Sequence, residues 1–226
     1  MFFIAPNQVF GIEKIEEIAT SKSGWTLMIH PDFLWNTSLA VAVKQYEFFD
    51  YAVNEALFLS EKEETTLNAI VKNIEQEYKG NMDKLSQGII ISQIETLLNY
   101  SDRFYQRQFL TRKATNHEIL TNVEQVIANY FNNESNSGLP TVQYIAHSLN
   151  LSPMYLSNLL KSLTGLTTQQ HIHEKLIERA KEKLSTTDLT VSEIAFQLGF
   201  EHSQSFSKLF KIKTNISPLE FRSSFN

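Results

Sequence analysis

Ser203, Gln204, Ser207, Lys208 and Lys211 share one side of SQSFSKLFK, a stretch whose apolar residues keep helical time. About fifty residues earlier, Pro153, Met154, Ser157, Asn158 and Lys161 hold the matching side of PMYLSNLLK. Hydroxyls, amides and ammonium groups are the groups that reach base edges and phosphates in a major groove. Any surface helix turns polar residues outward, so one such face decides little. Two faces of one design, both poor in acid, make a candidate DNA-binding set.

Other chemistries find little purchase. With no cysteine, the chain has no disulfide, thiol nucleophile or cysteine zinc site, and it suits a reducing cytoplasm. Neither a phosphate-binding glycine loop nor an HExxH pair occurs. His171-Ile-His173-Glu174 is the one constellation a metal could use. Alternate residues on a helix lie about 200° apart, so the two imidazoles cannot face one ion. The reading is therefore no catalytic residue, no metal and no cofactor.

Charge and length bound the rest. The 226 residues carry a net charge of −5, unevenly spread. Residues 1–119 hold 11 basic and 16 acidic side chains, whereas residues 120–226 hold 9 of each. Within 203–226, Lys208, Lys211, Lys213 and Arg222 face only Glu220. The C-terminal end is locally basic in an acidic protein. No apolar run approaches the roughly 18 residues of a membrane span, and MFFIAP lacks the basic start of a signal peptide.

The elements that must position the two faces form a repeat. VQYIAHSLNLS (142–152) matches VSEIAFQLGFE (191–201): Val142 with Val191, Ile145 with Ile194, Ala146 with Ala195, Leu149 with Leu198. After one extra residue in the second copy, YLSNLLKSLTG (155–165) lies over SFSKLFKIKTN (205–215). Ala146 and Ala195 let two helices cross closely. Asn150 and Gly199 hold the turn, being the residue types that best tolerate left-handed backbone. Ser152-Pro153 then restarts a helix with an N-cap and a proline in its first turn. Each copy reads as a helix-turn-helix, at about 141–164 and 190–213.

Residues 1–35 read as strands and turns, too few to close a sheet. Ser60-Glu-Lys-Glu63 has capping-box spacing and opens a helix carrying Leu67, Ile70, Val71 and Ile74. A longer helix is expected from Asp83 to about Arg112, striped by Ile90, Ile94, Leu97, Leu98, Phe104, Tyr105 and Phe109. That stripe serves either burial within its own domain or a dimer seam. Another helix is expected over 118–131, then a loop over 132–138.

IAHSLNLSPMYLSNLLKSLTG, LIERAKEKL and IAFQLGFEHSQSFSKLFKIKTNISPLEFR resemble the DNA-binding domain of the AraC family of transcription regulators. The last stretch carries the resemblance furthest, with its GF, its S-F-S-K-x-F-K core and a terminal S-P-x-x-F-R. The resemblance implies a seven-helix domain at 116–226, in which a central helix at Gln169–Leu184 holds two helix-turn-helix units apart. Thr190-x-x-Glu193 and Ser217-Pro-Leu-Glu220 supply capping boxes where such helices must begin. Many family members place arginines where Asn158 and Lys208 stand here, and lysine makes a point contact rather than a fork. IAPNQVFGIE and GWTLMIHPDFL are similar to the closing strands of a cupin-like sensor. That implies a strand remnant at 1–50 and a helical linker or dimerisation region at 51–115.

The fold class expected is mainly α, with a short N-terminal β remnant. The function expected is a cytoplasmic, sequence-specific regulator that binds double-stranded DNA. Expected with it are a homodimer through residues 83–113 and RNA polymerase as a further partner. The alternative is a helical interaction or scaffold protein without DNA binding. Salt separates the two, because counterion release belongs to polyanion binding.

Overall fold

The computed structural model describes residues 1–6, 8, 24–111, 113–133 and 138–225. The chain divides into two compact units, Met1–Thr111 and Arg112–Asn226.

In the first unit, short turns precede two long helices. Leu39–Ala42 is a single turn, α1, followed by 3-10 turns as far as Val53–Glu55. Helix α2 spans Glu61–Lys79 and α3 spans Ser86–Thr111. The start of α2 has a direct cause: the Glu63 carboxylate accepts from the Ser60 N–H and hydroxyl, each at 2.8 Å. The two helices pack along each other. Leu67, Ile70 and Ile74 of α2 are buried, as are Ile90, Ile94, Leu97, Leu98, Phe104, Tyr105 and Phe109 of α3. The α3 stripe is thus spent inside its own unit. Ile94 and Leu98, 2% and 4% exposed, are unavailable as the dimer seam expected of residues 83–113.

Of the expected β remnant, the stretch GWTLMIHPDFL is corrected. No strand occurs among the described residues, and much of IAPNQVFGIE lies outside them. Gly24–His30 is irregular, and Pro31–Leu34 is a 3-10 turn with proline in its first turn. The physical reason is that this segment meets its partners through side chains: Trp25 Nε1 donates to Asn68 Oδ1 at 2.8 Å, and the Gln87 amide donates to the Phe33 carbonyl at 3.0 Å. Phe3 packs on Phe48 and Phe49 at 4.3 and 5.5 Å, and Phe48 stacks on Tyr105 at 5.7 Å. The buried amide of Gln108 accepts from the Phe58 N–H at 2.8 Å and donates to the Ala56 carbonyl at 3.3 Å. One ladder-like exchange remains, two 2.7 Å backbone bonds between Met1 and Leu57. Residues of strand-like composition act here as aromatic filler.

The second unit contains seven helices among the described residues: α4 (Lys113–Asn132), α5 (Val142–Ser148), α6 (Pro153–Thr164), α7 (Thr168–Thr186), α8 (Val191–Gln197), α9 (Ser203–Thr214) and α10 (Pro218–Ser223). Of the expected loop over 132–138, residues 134–137 lie outside those described. Two cores lie side by side. One gathers Val123 and Ile127 of α4, Ile145 and Ala146 of α5, Leu156 and Leu160 of α6, and Ile172 of α7. The other gathers Leu176, Ile177, Ala180 and Leu184 of α7, Ile194 and Ala195 of α8, and Phe206 and Phe210 of α9. Phe131 packs against both. Helix α7 is therefore the common wall. Its 19 residues make a rod of about 28 Å, longer than the helix expected because it begins at Thr168 and ends at Thr186.

Candidate nucleic-acid interface

The two helix-turn-helix units repeat down to individual backbone bonds. In the first turn Leu151 N–H donates to Ala146 O, and in the second Phe200 N–H donates to Ala195 O, both at 3.0 Å. Asn150 N–H reaches His147 O at 3.1 Å, and Gly199 N–H reaches Phe196 O at 3.0 Å. Asn150 has φ 55° and Gly199 φ 92°, so both turns use left-handed backbone. Ala146 and Ala195 are fully buried where the helices cross. Five residues, Leu198 to His202, separate the second pair of helices and four separate the first.

The repeat continues past the recognition helices. Gly165 (φ 79°) ends α6 and Asn215 (φ 65°) ends α9. Glycine and asparagine have exchanged places: Asn-turn with Gly-cap in the first unit, Gly-turn with Asn-cap in the second. Thr164 donates to Leu160 O and Thr214 to Phe210 O, each at 2.8 Å. Thr167 with Gln170 then caps α7 as Ser217 with Glu220 caps α10. The Thr167 box escaped sequence reading, although the 49- to 50-residue register carried over Ser217 would have located it.

Each recognition helix buries one side and frees the other. Tyr155, Leu156, Leu159 and Leu160 of α6 are buried, as are Phe206 and Phe210 of α9. At 100° per residue, Gln204, Lys208 and Lys211 fall within an arc of about 60°, and so do Met154, Asn158 and Lys161. Pro153, Lys161, Gln204, Lys208 and Lys211 are exposed; Met154, Ser157, Asn158, Ser203 and Ser207 are half-buried. The structure thus gathers each set on one helix face, with the long polar side chains outermost. Ser205, which the sequence does not single out, is exposed beside Gln204, whereas Tyr155, its counterpart in the repeat, is buried.

The helix starts differ. Ser152 Oγ accepts from Tyr155 N–H at 3.2 Å, whereas His202 makes no such bond to α9. The Ser203 and Gln204 N–H groups meet no acceptor among the described residues. Open donors at a helix N-terminus suit an anion. The absence of Ser, Thr, Asp or Asn at position 202 was the available signal.

Electrostatics sort the basic residues. Lys161, Lys208 and Lys211 form no ion pair among the described residues. Glu220 is already engaged: the Ser217 bonds hold its carboxyl below the usual range, with a smaller share from Lys211. Lys213 lies toward α7, where its charge, after burial, pushes the His173 imidazole down. Arg222 turns inward and donates Nε–H to Leu184 O at 3.2 Å, closing the C-terminus of α7. Phe221 packs edge-on against Phe210 at 5.5 Å. The terminal S-P-L-E-F-R is therefore structural. His171 and His173 take separate partners, Thr164 Oγ1 and the Gln169 amide, each at 2.9 Å.

This arrangement defines a helix-turn-helix protein with two equivalent units on one shared helix. Residues 145–224 match the helix-turn-helix domain family, and they form an AraC-type helix-turn-helix domain. The chain is 33% identical over 111 residues to the raffinose operon transcriptional regulatory protein RafR of Pediococcus pentosaceus, covering 49% of this chain and 40% of that one. It is 30% identical over 145 residues to the uncharacterized HTH-type transcriptional regulator YfiF of Bacillus subtilis, covering 64% and 43%. The chain thus spans less than half the length of either relative. Among solved structures, the C-terminal domain of the two-component response regulator yesN from Fusobacterium nucleatum is 34% identical. That match covers 45% of this chain and 98% of that one, with a TM-score of 0.39.

Proposed function

We propose that the chain is a sequence-specific, DNA-binding transcription regulator, acting in the cytoplasm and without catalysis, that seats α6 and α9 in successive major grooves. The observation that carries this reading is the bond-for-bond repeat of two helix-turn-helix units along a rod of about 28 Å. Successive major grooves on one side of a duplex lie about 34 Å apart, within reach of two helices flanking such a rod. Lysines and open helix N–H groups meet phosphates, and Asn158 and Gln204 meet base edges, in the division usual for such interfaces. RNA polymerase is the natural second partner of a promoter-bound protein. A homodimer built on α3 would have to use its outward residues, such as Ile89 and Leu110, which are exposed.

Binding of the full chain to promoter DNA and to random duplex, followed over a range of salt, tests the reading. The expected result is tighter binding to one promoter segment and a linear fall of log affinity with log salt. Equal affinity for both duplexes, or no salt dependence, would defeat it and favour the interaction-protein alternative.

A further inference from the structure

The first unit holds a cleft of about 430 Å³ between the start of α2 and the later turns of α3. Ser60, Lys62, Glu63 and Thr66 line one wall; Tyr100, Arg103, Phe104 and Arg107 line the other. The size suits a metabolite.

Its charges do not cancel. Arg107 grips Glu63 through two bonds, Nε to Oε1 at 2.9 Å and Nη2 to Oε2 at 2.8 Å, and reaches the Phe58 carbonyl at 2.7 Å. That pair is spent on holding the two helices. Lys62 and Arg103 are exposed and enter no ion pair among the described residues. Two uncommitted cations therefore face one cleft, in a unit whose overall charge is acidic.

The other walls narrow the choice of ligand. The Ser60 hydroxyl donates to Glu63, and the Thr66 hydroxyl donates to the Lys62 carbonyl at 2.9 Å. With their protons committed, both oxygens remain as acceptors for ligand hydroxyls. Tyr100 and Phe104, with ring centroids 5.7 Å apart, form an apolar wall one turn long.

We propose that this cleft binds a phosphorylated, hydroxylated metabolite of sugar-phosphate size. A phosphomonoester carries about −1.5 to −2 at neutral pH, which matches Lys62 and Arg103 together, whereas a carboxylate would leave one cation over. The guanidinium of Arg103 takes the phosphate in its fork and the Lys62 ammonium adds a point charge. The sugar hydroxyls donate to Ser60 and Thr66, and the ring carbons lie on Tyr100.

Calorimetric titration of the full chain tests this, with glucose 6-phosphate, glucose and inorganic phosphate as probes. Saturable binding of glucose 6-phosphate is expected, at least tenfold tighter than inorganic phosphate, with none for glucose. Lys62→Ala and Arg103→Ala should each weaken it tenfold or more while leaving the melting temperature unchanged, since both side chains are exposed. No saturable heat up to about 10 mM overturns the proposal, as does equal binding by either variant. So does a double variant that binds no probe differently yet flattens the salt dependence of DNA affinity by up to about 2 in slope, because the cations would then serve DNA phosphates.

Discussion

The backbone of Gly138 lies against the α-carbon of Gly199, so closely that a Cβ at position 199 would fall inside contact distance of the Gly138 carbonyl. It would also come within 3.0 Å of Leu139 N. The segment entering the first helix-turn-helix unit thus rests on the turn of the second. Gly199 is needed twice over, once for its φ of 92° and once for this approach.

Gly199→Ala should lower stability by about 3 kcal/mol or more, combining left-handed strain with a clash against backbone that cannot swing aside. Gly165→Ala is the control. It has the same strain, with φ 79° and open space around it, and should cost about 1 kcal/mol. Thermal unfolding of the two variants measures the difference. Equal losses would mean that the Gly138 contact contributes nothing.

Replacing Lys208 and Lys211 together by Ala should flatten the slope of log affinity against log salt by up to about 2, and Lys161→Ala by at most about 1. Asn158→Ala and Gln204→Ala should leave the slope alone and cost roughly 1–3 kcal/mol at particular base pairs. Fluorescence anisotropy on promoter and random duplexes distinguishes the two patterns. A full slope in the double lysine variant would show that α9 is not seated in a groove.

Ile94→Glu and Leu98→Glu should unfold the first unit rather than release folded monomers. Each places a carboxylate in the α2–α3 core at a cost of several kcal/mol. Sedimentation together with far-ultraviolet circular dichroism reads this out. Fully helical monomers from a dimeric parent would restore the seam to these positions.

His173 makes the second unit sensitive to acid. Burial, then the charge of Lys213, lowers its pKa below the ordinary histidine value, so the folded state prefers the neutral ring. The stability this provides is complete above about pH 6.5 and is lost as the pH falls toward the depressed folded value. Melting temperatures compared near pH 7.5 and near pH 5.5 should drop further in the parent than in His173→Gln. Equal drops would acquit the imidazole.

Much of the second unit was legible because it is written twice. The match of Ile145 with Ile194 and Ala146 with Ala195 set a register, and the register placed Asn150, Gly199 and both outward faces. Ser152-Pro153 and the Thr190 and Ser217 boxes could be read because their chemistry is local. The first unit offered no second copy. Its α3 stripe showed that Ile94 and Leu98 face something apolar, but periodicity cannot name the partner, and α2 supplies it. Phe2, Phe3 and Ile4 have the composition of a strand, yet Phe3 packs on aromatic rings instead of a neighbouring ladder. The meeting of Gly138 and Gly199 had no trace in the sequence, since two backbones touching at long range leave no periodic signal.

Because one uninterrupted helix, α7, is built into both cores of the Arg112–Asn226 unit, the second helix-turn-helix is geared to the first. Adding one residue midway between Ile172 and Leu184 would advance everything beyond it by about 1.5 Å and swing it through about 100°. A shift so small in length would point α9 away from any duplex that α6 still held. The surface loops can lengthen in evolution at little cost, but α7 can change only by steps that conserve angular phase. In the proposed complex, the spacing of the two half-sites would thereby be as fixed as the pitch of the protein's own helix.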